Sequence, residues 1–64
     1  MKWIAHLESG DRRFEIKRDE KAGFYLYVYV GELCTHDYLQ DSLEQALAVA
    51  ERQFAVPRSA WHPE

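Results

Sequence analysis

The residues with chemical potential are few: Cys34, His36 and His6, with Asp37, Asp41, Glu44 and Glu51 as candidate acids. A Cys-x-His spacing puts Cys34 and His36 on one side of an extended strand, where a thiol and an imidazole can act as nucleophile and base. That pair has no glycine-rich or helix-start element beside it to stabilise an oxyanion, so no catalytic role is expected. The same residues with His6 match no strong zinc pattern, and no metal or other cofactor is expected. The acids form no general acid–base pair. Asp41 reads as a helix-cap neighbour, and Glu51 as part of a solvated helix face. A non-enzymatic protein is the expectation.

The remaining residues suited to recognition are the tyrosines. Phe24 to Val30 reads Phe-Tyr-Leu-Tyr-Val-Tyr-Val, the strongest strand signal in the chain. Phe24, Leu26, Val28 and Val30 point one way, and Tyr25, Tyr27 and Tyr29 the other. The purely apolar set must face the core, which turns the tyrosines outward. Gly31-Glu32 suits a two-residue hairpin turn, and Leu33 to about Tyr38 returns as a less regular fourth strand. Pairing Val30 with Leu33 sets Tyr29 opposite Cys34, Tyr27 opposite His36 and Tyr25 opposite Tyr38. The candidate binding face is therefore Tyr25, Tyr27, Tyr29, His36 and Tyr38, with Cys34 and His6 among them. This register turns Asp37 toward the core, which a bulge near it or an early end to the strand would relieve.

Such a face supports three readings. Tyrosine combines flat apolar area with a polar tip at low entropic cost, which suits binding a protein or a second copy of the chain. An aromatic sheet face also stacks single-stranded bases. Tyrosine is, finally, a good strand former that tolerates half exposure with no partner at all. The net charge of −3 disfavours nucleic acid, although Arg13 and Lys17 would be local cations.

The elements that must hold this face follow from periodicity. Lys2 to Glu8 alternates, with Trp3, Ala5 and Leu7 on one face. Ser9-Gly10-Asp11 is a turn signal. Arg12 to Arg18 alternates again, with Phe14 and Ile16 apolar and with Arg13, Glu15 and Lys17 set beside the tyrosines. Pairing of Phe14 with Leu7 and Val28 is expected. Asp19 to Gly23 is a solvated loop.

One long helix follows. Ser42 with Gln45 forms a capping box, and Asp41 with Glu44 the same box one residue earlier; Ser42 is the better choice because it leaves both acids at the positive end of the helix dipole. Leu43, Ala46, Leu47, Ala50 and Phe54 make the buried stripe, and Pro57 ends the helix near Ala55. The expected core is Trp3, Leu7, Phe14, Ile16, Phe24, Leu26, Val28, Val30, Leu43, Leu47, Ala50 and Phe54.

Sixty-four residues make one small domain, spanning 1–64, in which the tail 56–64 is expected to fold back through Trp61, the alternative being Trp61 as an exposed anchor for a partner. The fold class is α+β: an antiparallel meander of three to four strands with one C-terminal helix across one face. A single cysteine excludes an internal disulfide. No apolar run reaches membrane-spanning length and no signal peptide is visible, so a cytoplasmic protein that makes no contact with membranes is expected.

The segment from Gly23 to Phe54 resembles the small antitoxin domains of the HicB type, which share a strand hairpin, a Gly…Cys stretch and an Asp-Thr/Ser-Leu-Glu-x-Ala helix start. The matching residues are Gly31, Cys34 and Asp41-Ser42-Leu43-Glu44-Gln45-Ala46; a proline before Gly31 is missing. The resemblance implies a partial double-stranded-RNA-binding-like fold and a toxin-binding role. The whole pattern, with Val56-Pro57 and Trp61, is also similar to short bacterial proteins of no assigned activity.

Overall fold

A computed structural model describes residues 1–64, with every side chain but that of Ser9. Five strands form one antiparallel sheet: β1 (Lys2–Leu7), β2 (Arg12–Asp19), β3 (Gly23–Val30), β4 (Leu33–Gln40) and β5 (His62–Pro63), in the spatial order β4-β3-β2-β1-β5. One helix, α1 (Leu43–Phe54), lies across one face. The fold is the α+β meander read from the sequence, extended by a short fifth strand that pairs the tail with β1.

The core forms where the apolar faces of the sheet meet the helix. Ala5, Phe14, Ile16, Leu26, Val28, Ala46, Val49, Ala50 and Val56 are buried, and Trp3, Leu7, Phe24, Leu43, Leu47, Phe54 and Trp61 pack around them. The expected core is right in its centre, but it includes Val30, which is exposed, and leaves out Ala5, Val49 and Val56, which are buried. Val30 lies at the hairpin end, beyond the reach of the helix, and is 44% exposed. Val49 replaces Leu47 at the buried centre of the helix face. The helix sits rotated toward Ala46, Val49 and Ala50, so Leu43, Leu47 and Phe54 become its flanks.

The helix start is as its sequence dictates. Ser42 Oγ accepts from the Gln45 N–H at 3.1 Å, and Gln45 Oε1 accepts from the Asp41 N–H at 3.1 Å. The first bond satisfies a donor that helix geometry leaves free, and the second ties the residue before the cap to the first turn. At the other end Ala55 adopts a left-handed conformation, φ 58°, and its N–H still donates to Glu51 C=O at 3.0 Å. This residue turns the chain so that Val56 drops into the core.

The tail then crosses back over the helix. Arg58 pairs with Glu44 at 2.6 Å and approaches Glu51 at 3.9 Å. Trp61 packs half-buried against the core, although its indole N–H is buried with no acceptor among the described residues. Pro63 then stands opposite Trp3 and His62 opposite Ile4.

Two registers differ from those read in the sequence. Phe14 faces Ala5 rather than Leu7, because a turn of 3-10 helix at Ser9–Asp11 shortens the hairpin, which closes at Leu7 and Arg12. The shift is two residues, so both side chains keep their face. In β4 the change matters more. Tyr29 pairs with Cys34 and Val28 with His36, which leaves Thr35 as the extra residue of a β-bulge.

Two glycines hold the ends of β3. Gly31, φ 58°, forms the tight turn into β4. Gly23 has φ 121°, and a Cβ there would lie 2.4 Å from the Gln40 carbonyl oxygen. Only glycine lets the start of β3 pass that close to the end of β4, where α1 begins.

Candidate interaction face

The helix covers one face of the sheet, and among the described residues no element covers the other. On the uncovered face the side chains fall into three rows that cross the strands. The first runs Leu39, Tyr25, Lys17, Lys2; the second Asp37, Tyr27, Glu15, Ile4; the third Cys34, Tyr29, Arg13, His6. Tyr25, Tyr27 and Tyr29 thus form the central column, with Arg13, Glu15 and Lys17 beside them as the sequence predicts.

His36 and Tyr38 do not belong to this face, contrary to the sequence reading. The extra residue at Thr35 reverses the alternation beyond it, so His36 pairs with Val28 and Tyr38 with Leu26. Both rings turn to the helix side. They stack at 6.1 Å and 2°, and both meet the Phe54 ring edge-on at 5.4 and 6.2 Å. The same reversal brings Asp37 and Leu39 onto the tyrosine face, where the sequence reading had not placed them. The signal was the awkward inward Asp37, which a bulge was needed to relieve.

The bulge also separates the chemically suggestive pair. Cys34 is exposed beside Tyr29, whereas the His36 ring lies on the opposite face and is held by Thr35, whose Oγ1 is 2.9 Å from His36 Nδ1. His6 is on β1, and β2 and β3 separate it from Cys34. The geometry therefore assembles neither a thiol–imidazole pair nor a three-residue metal set from these groups.

The tyrosine column is ordered by its neighbours. Tyr25 and Tyr27 stack at 5.8 Å and 16°. The Arg13 guanidinium sits 4.5 Å over the Tyr29 ring, within range of a cation–π attraction. Arg13 Nε also lies 3.2 Å from Glu15, but off the line of a hydrogen bond. Lys2 reaches the other oxygen of Glu15 at 3.2 Å, and this contact raises the Lys2 pKa. Glu15 is thus shared by two cations and is itself only 14% exposed. The Tyr27 phenol is pushed above the ordinary tyrosine value, first by lost solvent, then by the charges of Tyr25, Tyr29, Asp37 and Cys34.

A shallow cleft of about 480 Å³ opens at the turn end of the sheet, between His6, Asp11, Arg13 and Glu32. Its lining mixes both signs of charge and converges on no single group. Among the described residues no helix is long and apolar enough to cross a membrane. Comparison with known proteins adds no relative: no family model, curated protein or solved structure matches this chain.

Proposed function

We propose that this chain is a non-catalytic interaction module that binds a protein through the sheet face centred on Tyr27. The observation carrying this reading is the column Tyr25, Tyr27, Tyr29, held in register on the one face that no element covers. Tyr27 stands at its centre, with Leu39 on the neighbouring row of β4, Ile4 two strands away beyond Glu15, and ion pairs toward the β1 side. This is the composition of a small interface, an aromatic centre with a charged surround. The HicB-type resemblance fits the same reading as one form of it, an antitoxin-like domain that holds a partner protein. The free thiol of Cys34 suits a reducing, cytoplasmic setting.

Charge favours a protein over nucleic acid as the occupant. Lys2 and Arg13 are already engaged by Glu15, which leaves Lys17 as the cation of the column's surround without an ion-pair partner among the described residues. Asp37 and Glu15 flank Tyr27 on both sides. A base stacked on Tyr27 would bring its phosphates against these carboxylates. The test is binding to a fluorescent oligothymidylate across a salt series. No binding is expected at low salt; tight binding that weakens steeply with salt would replace this reading with base stacking.

A further inference from the structure

The two edges of the sheet are unlike. β1 is covered by β5, which is two residues long and contains Pro63, and Glu64 N–H closes the seam by donating to Lys2 C=O at 2.7 Å. Short strands and proline are devices that stop a sheet from adding further strands. The β4 edge has neither, although the bulge at Thr35 interrupts it and leaves His36 to Gln40 as its regular run. The strand is eight residues long, has no proline and no lysine, and among the described residues no strand pairs with its outer side. Leu33 and Leu39 on it are 69% and 49% exposed. Every second residue of such an edge turns its N–H and C=O outward, ready to pair with an extended chain.

The charge along this edge has one sign. From Gly31 to Glu51 the chain carries five carboxylates and no lysine or arginine. Glu44 and Glu51 are met by Arg58. Glu32, Asp37 and Asp41, on β4 and at its two ends, have no ion-pair partner among the described residues. We propose that the β4 edge takes an extended segment of another protein as an added strand, and that this segment carries lysine or arginine. A second copy of this chain fits less well, because β4 against β4 would bring both sets of three carboxylates to one seam. The proposal goes beyond the interaction reading above: it names a second contact surface and the chemistry of what binds there. It rests on the strand edge, not on the tyrosine rings.

The test is an isotope-labelled sample titrated with an eight-residue peptide alternating lysine and valine, and separately with one alternating glutamate and valine. The lysine peptide should shift the backbone amides of β4 and slow their hydrogen exchange. Asp37→Lys, at an exposed site, should weaken this binding about tenfold or more and admit the glutamate peptide. Tyr27→Ser should change the affinity less than about threefold if the edge is the site. Equal binding of both peptides, shifts centred on β2, or no shift at millimolar peptide would overturn the proposal. So would a peptide-free dimer seamed at β4, which would make a second copy the occupant. Binding lost in Tyr27→Ser but kept in Asp37→Lys would overturn the edge site and leave the tyrosine face standing.

Discussion

Tyr27 stands directly opposite Asp37 across β3 and β4, and Thr35 is the residue that makes this pairing possible. Were Thr35 paired in the ladder instead of bulged out of it, the register that begins at Val30 and Leu33 would set Tyr27 opposite His36 and bury Asp37 against the helix. An ionised carboxylate buried without a partner is far costlier than one bulge.

Removal of Thr35 is therefore expected to be tolerated. With the extra residue gone, Tyr29 still meets Cys34 and Val28 still meets His36, so every side chain keeps its face. The loss is confined to Thr35's own contacts, its 3.3 Å bond to the Val28 carbonyl and its contact with His36. Urea unfolding of the deletion variant should give a stability within about 1 kcal/mol of the parent. An unfolded variant would show that the bulge shapes the strand in a way pairing alone does not capture.

The central column and the helix were legible because their signals are strong and regular. The seven-residue run Phe24 to Val30 alternates without exception between aliphatic or phenylalanine and tyrosine, and Ser42 with Gln45 marks the helix start. The β4 register was less legible, because Thr35, His36 and Asp37 are all polar and either face accepts the first two. Only Asp37 carried the information. Val49 was less legible for a related reason: the stripe Leu43, Leu47, Phe54 and the stripe Ala46, Val49, Ala50 are adjacent on the helix, and the first carries the larger residues. β5 is two residues long and has no periodicity to read.

The helix rotation can be weighed by two substitutions. Val49 is 8% exposed, and Val49→Ala should cost about 2 kcal/mol, from two lost methyl groups and the cavity they leave. Leu47→Ala removes more carbon from a half-buried flank and should cost no more than that. Denaturant midpoints compare the two directly. A much larger loss at Leu47 would place the helix in the orientation first read from the sequence.

Ala55 offers a route to a more stable chain. A non-glycine residue in the left-handed region costs about 1–2 kcal/mol, and glycine removes this at a smaller entropic loss. The Ala55 side chain is exposed, so nothing is lost from the core. Ala55→Gly should raise stability by about 0.5–1 kcal/mol. A lower melting temperature would mean that the αL turn is not strained.

Tyr27 should titrate above the ordinary tyrosine value of 10.0. Its folded pKa is raised, so the stability this provides is complete below the unfolded value and is lost as pH rises through the folded one. Ultraviolet absorbance of the phenolate, compared between the parent and Tyr27→Phe, isolates its transition. Asp37→Asn removes one of the negative neighbours and should move that transition down. A Tyr27 transition at or below 10 would place the ring in open solvent, away from Asp37 and the flanking tyrosines.

The most direct test of the interaction face is Tyr27→Ser, with two readings on one variant. Thermal or urea unfolding reports the fold. Sedimentation of the chain, together with capture of proteins from a lysate of the cells that make it, reports association. Tyr27 faces away from the helix, so stability should fall by no more than about 1 kcal/mol, while association should weaken by roughly 2 kcal/mol or more, as for a residue at the centre of an interface. Association and captured proteins unchanged from the parent would contradict the account and leave the tyrosine column a solvated sheet face.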